Sequence, residues 1–161
     1  MQETRPLRSV AYSQVENMHV LRHENINGTG RLYGGQLLSW IDETSATVAQ
    51  RHSGRIITTA SIDHLEFKRG AYLNDLVVLV ARLTYVGNAS MEVEVDSYVE
   101  DHQGFRHMIN RAFLTYVSID ENGKPVPIPY GLEIKTEAER ARYQAALARK
   151  EHRILRRSQG F

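Results

Sequence analysis

Several stretches of the chain alternate apolar and polar residues in the manner typical of β-strands. The clearest spans residues 91–99, in which apolar side chains alternate with Glu92, Glu94 and Asp96. This period of two predicts a sheet with one buried face and one face in water. Enrichment in Val, Ile, Thr, Tyr and Phe predicts strands over residues 55–67, 76–86, 91–99 and 111–119. The mixture of strand formers and polar residues over residues 10–20 favours a first strand there.

One long helix is predicted over residues 36–52, between the first two strands. On a helical wheel Glu43 falls on the polar side, whereas Asp42 lies on a flank of small residues that borders the apolar side. Glu43 is therefore expected to be solvated, and Asp42 to have restricted access to water. The apolar side holds Leu37, Leu38, Ile41, Ser45 and Val48, and the opposite side holds Gln36, Ser39, Glu43, Thr47 and Gln50.

Turn residues separate the later strands. Gly87-Asn88 and the segment 101–104 are typical of the tight connections between antiparallel strands. The predicted order is one strand, one helix and four consecutive strands joined by hairpins. The fold class is therefore α+β, with the helix packed on the apolar face of an antiparallel sheet.

The C-terminal part is predicted to leave the sheet. Pro125, Pro127 and Pro129 cannot continue a strand or a helix. Thr136 and Glu139 form a capping-box pattern, and residues 139–157 are rich in helix formers, so a second helix is expected. Its basic end could meet an acidic partner or a membrane surface, but a solvated face is the favoured interpretation. The basic residues are Arg149, Lys150, Arg153, Arg156 and Arg157.

Composition narrows the function. The chain has 161 residues, no cysteine and a net charge of +1, from 20 Lys and Arg against 19 Asp and Glu. One domain is expected, without disulfides, and a nucleic-acid partner is not. The first seven residues lack the apolar core of a signal peptide, and no stretch approaches the roughly 20 apolar residues of a membrane span. We expect a soluble, cytoplasmic protein that does not bind membranes.

The segment that indicates chemistry runs from Asn27 through glycines 28, 30, 34 and 35 into the helix that carries Asp42. Glycines let a ligand approach the backbone, and a helix start offers unpaired N–H groups that attract negative charge. Asp42 lies eight positions (42 − 34) beyond Gly34 and is expected to face the same space. Two structural alternatives stay open: Asp42 bridges to a neighbouring strand, and Asn27-Gly28 is a turn dipeptide.

Other chemistries find no support in the sequence. The seven histidines have no metal-ligand spacing, so a metal site is not expected. The serines lie outside any nucleophile-elbow motif, and the glycine-rich loop lacks the Gly-Lys-Ser/Thr of a phosphate-binding loop. Serine hydrolase and nucleoside triphosphatase functions are therefore excluded.

The chain resembles the hotdog-fold acyl-CoA thioesterases, and within them the group of the bacterial YciA-type and brain-type acyl-CoA hydrolases. The likeness extends over nearly the whole chain. It is carried by Asn27, Phe67, Gly87 and the segments 34–42, 58–63, 90–93 and 112–120, and the proline segment and the arginine-rich helix also fit.

The resemblance implies a hotdog domain over residues 1–132 and a basic helix and tail over residues 133–161. It implies that two copies join their sheets, and that Asn27 of one chain and Asp42 of the other act in one site. Trimers of such dimers are expected, as hexamers. The substrate would be an acyl-CoA thioester, and no cofactor is expected because coenzyme A is part of the substrate.

The resemblance also implies residue roles. Asp42 would act as general base on water or attack the carbonyl itself, Asn27 would orient the water or the carbonyl, and an N–H of Gly34 or Gly35 would stabilise the oxyanion. The loop at residues 70–75 lacks the proline and the glycine before aspartate that many relatives have. The expected substrate-binding residues are Arg31, Thr59, Lys68, Arg69, Ser90 and Arg111.

Two other functions stay open. A hotdog hydratase or dehydratase needs a catalytic histidine near the loop, and His23 is the candidate, although it lacks the proline-rich setting of such enzymes. A non-catalytic acyl-CoA sensor would keep the pocket without turnover. Retention of both Asn27 and Asp42 favours the thioesterase.

Overall fold

The computed structural model describes residues 4–161 and confirms the α+β hotdog architecture, with an antiparallel sheet, a long central helix and a C-terminal helix. Residues 1–3, the beginning of the segment examined for a signal peptide, lie outside the described residues. A 3₁₀ turn at His23–Asn25 precedes the central helix. The elements are β1 (Leu7–Ser9), α1 (Val10–Ser13), β2 (Val15–Val20), α2 (Gly34–Ser53), β3 (Ile56–Phe67), β4 (Leu76–Val86), β5 (Ser90–Glu100), β6 (Arg106–Ile119), β7 (Gly131–Glu133) and α3 (Glu137–Ser158).

The five-stranded sheet has the order β2-β4-β5-β6-β3. The hairpins that join β4, β5 and β6 are confirmed. The expectation that β3 and β4 also form a hairpin was wrong, because β3 pairs with β6 at the far edge. The connection between β3 and β4 instead crosses near the start of α2, where the Leu32 N–H donates to the Ala71 carbonyl at 2.7 Å.

Two segments near the chain ends differ from the prediction. Residues 10–20 are not one strand, because the Ser9 side chain accepts a hydrogen bond from the Tyr12 N–H at 3.2 Å and caps the short helix α1. Beyond the prolines, β7 pairs in parallel with β1, which the sequence did not predict. Thr136 caps α3 as expected, by accepting from the Glu139 N–H.

Helix α2 lies on the inner face of the sheet. Its apolar side is buried, with Leu37, Ile41 and Val48 fully inaccessible, and β5 contributes fully buried valines to the same cluster. The helix begins at Gly34, two residues (36 − 34) before the predicted start. It ends at Ser53, and the following C-cap residue, Gly54, adopts a left-handed backbone with φ of 63°.

The outer face of the sheet is buried as well, which overturns the prediction of a face in water. Glu92, Glu94 and Asp96 are 1%, 4% and 2% exposed. Arginines of α3, β4 and β6 neutralise them and exclude water from this face. Burial raises the pKa of Asp96, but its hydrogen bonds and charge interactions with arginines outweigh burial and hold that pKa below its ordinary value.

The basic end of α3 is therefore largely an internal contact and not the solvated face that the sequence favoured. Arg149 donates to both carboxylate oxygens of Glu92, at 3.0 and 2.7 Å. Arg153 pairs with Asp63 at 3.2 Å and with Glu92 at 3.5 Å. The acidic partner of these arginines is the chain's own sheet. Among residues 4–161, no helix is long and apolar enough to span a membrane.

A buried histidine should make stability depend on pH. His52 is fully buried, and its Nε2 lies 3.3 Å from the Tyr130 carbonyl. Burial is the main cause that lowers the pKa of His52 below 6.5. The unfolded chain then binds a proton that the folded chain does not, so stability is complete above about pH 6.5 and falls below it. We expect the Tm to decrease steadily between about pH 7 and about pH 5.

The variant His52→Gln tests the assignment, since glutamine still donates to the Tyr130 carbonyl but does not titrate. Its Tm should depend less on pH over that range than the wild-type Tm, although the lowered pKa of His19 leaves part of the slope in place. His102→Gln, at an exposed histidine, is the matched control and should keep the wild-type slope. Equal slopes in all three proteins would contradict the role of His52.

Candidate active site

A cleft of about 360 Å³ opens at the start of α2. The strand end at Phe67, the loop that follows it and the glycine-rich loop before α2 form its walls. The Tyr33 N–H donates to the Asn25 carbonyl at 2.8 Å and fixes the glycine-rich loop. Five of the residues predicted for the site line this cleft: Asn27, Arg31, Gly34, Lys68 and Arg69.

Asn27 organises its own turn. Its Oδ1 accepts hydrogen bonds from the N–H of Thr29 at 3.0 Å, from the Thr29 hydroxyl at 2.7 Å and from the N–H of Arg31 at 3.2 Å. Two of these donors are backbone N–H groups, so the atom that faces them must be the oxygen. The turn interpretation of Asn27 therefore holds, and the side-chain NH₂ group is left to serve as a donor at the cleft.

The start of α2 is open. Tyr33 occupies the N-cap position, and no side chain of residues 4–161 caps the first N–H groups of the helix. A Cβ at Gly35 would lie 2.6 Å from the ring of the exposed Tyr33, so a larger residue there would displace this ring. Gly34 lines the cleft, and a Cβ there would come within 3.4 Å of the Phe67 ring.

Asp42 lies outside this cleft. Eight residues along α2 correspond to about 12 Å, so Asp42 and Gly34 of one chain do not share a space. The expectation that Asp42 looks back toward the loop was wrong within one chain. Its Oδ1 accepts hydrogen bonds from the Thr59 hydroxyl at 2.9 Å and from the Tyr116 hydroxyl at 2.8 Å. Asp42 thus bridges to β3 and β6, as the structural alternative predicted.

An irregularity in β3 aims Thr59 at Asp42. Thr59 pairs with Tyr116, but Ser61 pairs with Thr115, so Ala60 is an extra residue in the strand. Such a β-bulge reverses the alternation of side chains. Thr59 therefore faces α2, although Ser61, two residues later, faces the outer side of the sheet.

Tyr116 is the residue that the sequence reasoning did not assign. It is fully buried, and burial is the main cause that raises its pKa far above the ordinary value. It lies on the same face of β6 as Ala112 and Leu114, which are core residues. A tyrosine on an apolar face needs a partner for its hydroxyl, and this was the signal that could have identified it.

Two predicted substrate-binding residues lie elsewhere. Ser90 lines a small pocket beneath α3, together with Lys150 and Arg157, on the outer side of the sheet. The guanidinium of Arg111 forms two hydrogen bonds with Asp96 there, which raise its pKa. The structure therefore does not bring Ser90 or Arg111 to the cleft or to Asp42.

Groups that other chemistries would need are not assembled at the cleft. His23 is exposed on the 3₁₀ turn and does not line the cleft. Within the described part of the chain, no three His, Asp or Glu residues are grouped so that they could hold a metal ion. The cleft itself offers amide, backbone N–H and cationic donors.

Comparisons with known sequences point to one family. The family model of the thioesterase superfamily matches residues 29–105. The uncharacterized acyl-CoA thioester hydrolase YkhA of Bacillus subtilis is 38% identical over 133 residues, which cover 81% of this chain and 76% of that protein. The cytosolic acyl coenzyme A thioester hydrolase of Rattus norvegicus is 34% identical over 145 residues. These residues cover 88% of this chain but only 38% of that protein's length.

Solved structures agree with the sequences. The acyl-CoA hydrolase of Staphylococcus aureus, in complex with butyryl coenzyme A, coenzyme A and coenzyme A disulfide, has a TM-score of 0.90 at 30% identity; the match covers 96% of this chain and 94% of that one. An apo-hexameric acyl-CoA thioesterase has a TM-score of 0.88 at 36% identity, over 94% of this chain and 97% of that one.

Alanine variants of the S. aureus hydrolase are also among the similar structures. They replace one aspartate, one asparagine and one threonine. In each case the residue number in that protein is one higher than the number of Asp42, Asn27 or Thr59 in this chain.

Proposed function

Since this chain belongs to the thioesterase superfamily and is an acyl-CoA thioesterase, we propose that it hydrolyses the thioester at a site shared between two subunits. The observation that carries the proposal is the separation of the two halves of the site within one chain. Asn27 and Gly34 line the cleft at the start of α2, whereas Asp42 is held by Thr59 and Tyr116 two turns away. In a dimer, the second copy supplies an Asp42 to the cleft of the first, and the first supplies its Asp42 to the cleft of the second.

The exposed edge of β3 supports such a pairing. β3 is an edge strand of the sheet, and Ile56, Ile62 and Phe67 are 56%, 38% and 50% exposed along it. A long apolar edge with unpaired backbone groups favours the addition of another strand. In the proposed dimer, β3 pairs with its counterpart and the two sheets continue as one. Three dimers form a hexamer, in line with the hexameric thioesterases among the similar structures.

Asp42 supplies the base or the nucleophile. Both donors from Thr59 and Tyr116 reach Oδ1, which leaves Oδ2 for chemistry. Oδ2 either takes a proton from a water molecule that attacks the thioester carbonyl, or attacks that carbonyl itself to form a mixed anhydride that water then hydrolyses. The two routes give the same products, a free acid and coenzyme A, and need no cofactor.

The partner's cleft supplies donors for the developing negative charge. The NH₂ group of Asn27 and the backbone N–H of Gly34 bind the thioester oxygen as it becomes an oxyanion. The uncapped start of α2 adds the favourable helix dipole. Gly35 is the second backbone candidate, but its Cβ position faces the Tyr33 ring and only Gly34 lines the cleft.

The same cleft receives the charged part of coenzyme A. Arg31, Lys68 and Arg69 line it, and each presents a cation that can bind phosphate. Arg111 donates two hydrogen bonds to Asp96 and has no part in the proposed site.

Mixing two inactive variants tests whether the site is shared. Asn27→Ala chains lack the amide, and Asp42→Ala chains lack the carboxylate. In a mixed dimer, the intact Asn27 and the intact Asp42 meet in one of the two sites if the residues come from opposite subunits. We expect thiol release from acyl-CoA to return to about a quarter of the wild-type rate after the two variants are unfolded together and refolded in equal amounts.

Two controls accompany this experiment. Each variant refolded alone should stay inactive, and the double variant Asn27→Ala/Asp42→Ala mixed with wild type should not exceed the activity of diluted wild type. If both residues acted from the same chain, no mixed dimer would contain an intact site. Mixed dimers that form but release no thiol would therefore reject the shared site.

A further inference from the structure

A buried tyrosine hydroxyl lies directly behind the carboxylate of Asp42. The Oη of Tyr116 is 2.8 Å from Oδ1 of Asp42 and 3.0 Å from the backbone carbonyl of the same residue. Tyr116 is 0% exposed, on the strand β6 in the middle of the core.

The direction of the hydrogen bond follows from the groups present. In the contacts between Tyr116 and Asp42 the tyrosine is the donor, because the backbone carbonyl and Oδ1 of Asp42 are acceptors. The Ser45 hydroxyl lies 2.6 Å from Oη, where either hydroxyl can be the donor, and it also donates to the Ile41 carbonyl at 2.7 Å. Burial raises the pKa of Tyr116, so the hydroxyl keeps its proton throughout the neutral and moderately alkaline range.

The two hydroxyl groups that donate to Asp42 lie on different strands of the sheet. Thr59 lies on β3, the edge strand that carries the bulge at Ala60. Tyr116 lies on β6, which is paired on both sides, with β5 and with β3. The tyrosine hydroxyl contacts α2 at two residues at once, Ser45 and Asp42.

We propose that Tyr116 is a positioning residue that holds Oδ1 of Asp42 so that Oδ2 points at the water or thioester carbonyl. The proposal rests on the proposed function, in which Asp42 reacts, and adds the group that orients it. Tyr116 itself touches neither the substrate nor the reacting atoms.

Tyr116→Phe tests the proposal because it removes one hydroxyl and keeps the ring that fills the core. We expect kcat to fall about tenfold, the effect of losing one hydrogen bond to a charged group, with KM changed less than about twofold. Ser45→Ala, which leaves the Tyr116 hydroxyl in place, should have a smaller effect in the same direction.

Tyr85→Phe is the matched control. The hydroxyl of Tyr85 accepts a hydrogen bond from Lys150 at 3.0 Å, away from Asp42, and its loss should leave kcat and KM unchanged. Unchanged kcat in Tyr116→Phe would overturn the proposal, as would a rate loss that appears mainly as a higher KM or that merely follows a loss of folded protein in thermal denaturation. Absence of thiol release by the wild-type protein would instead reject the proposed function.

Discussion

Asp42→Asn is expected to lower kcat/KM for acyl-CoA hydrolysis by at least about 100-fold, because general base catalysis typically contributes about 10²- to 10⁴-fold. Asparagine has the size of aspartate, and its side-chain oxygen still accepts hydrogen bonds from Thr59 and Tyr116. The side chain loses the charge that takes a proton from water or attacks the carbonyl. Thiol release measured over a range of acyl-CoA concentrations gives kcat and KM separately.

Glu43→Gln is the matched control for this substitution. Glu43 is the next residue on the same helix and carries the same charge, but it is exposed and its carboxylate contacts only the Ser39 hydroxyl, at 3.5 Å, among the side chains of the described residues. This variant should keep wild-type activity. A fall of less than about tenfold in Asp42→Asn, with the fold intact by thermal denaturation, would remove Asp42 from the catalytic step. Binding of acyl-CoA without hydrolysis by the wild type would favour the sensor function.

The difference between these two neighbouring carboxylates could be predicted from the sequence. The helical period alone places Glu43 on the polar side of α2 and Asp42 on the flank beside the core, and the exposure of both residues agrees. The partners of Asp42 could not be predicted in this way. Thr59 and Tyr116 reach it through the register between β3 and β6 and through a bulge, and both depend on contacts between distant parts of the chain.

In the sheet too, the strands could be predicted from neighbouring residues, but the pairing of the strands could not. Enrichment in strand-forming residues, and the period-2 pattern in β5, identified β3 to β6 as strands, because both are properties of a few consecutive residues. The pairing of β3 with β6 depends instead on the whole arrangement around α2. The proposed shared site could not be predicted from the pattern of residues at all. It was expected only from the resemblance to a family, because Asn27 and Asp42 lie apart within one chain.

The acidic residues of β5 show how a correct pattern led to a wrong environment. An alternating pattern shows that one face of a strand is apolar and the other polar. It does not show whether the polar face is in contact with water or with another part of the chain. Glu92, Glu94 and Asp96 do share the outer face, but α3 covers it with arginines spaced seven and four residues apart at 142, 149 and 153. Acidic residues on β5 and basic residues on one side of α3 were both visible in the sequence, and their complementarity was the missed signal.

Glu92→Gln is expected to lower the free energy of unfolding by about 3–5 kcal/mol, the typical cost of breaking a buried ion pair by removing one partner. Glu92 is 1% exposed and accepts hydrogen bonds from Arg149 and from the Thr84 hydroxyl, the latter at 2.6 Å. Glutamine preserves the volume but removes the charge, so Arg149 stays beneath α3 without its counter-charge. Arg153 loses one of its two carboxylates and keeps Asp63.

Urea unfolding of the wild type and of Glu92→Gln measures the difference in their free energies of unfolding. Both proteins are unfolded at the same protein concentration, because the stability of an oligomer depends on concentration. Glu133→Gln is the control: Glu133 and Lys135 form an exposed pair at 3.6 Å, and its loss should cost less than about 1 kcal/mol. Hydrogen exchange should be fastest in α3 of Glu92→Gln, since the helix is anchored to the sheet through these arginines. If the two variants had equal stability, the ion pairs beneath α3 would contribute no more than surface pairs, and the helix would be held by its apolar contacts alone.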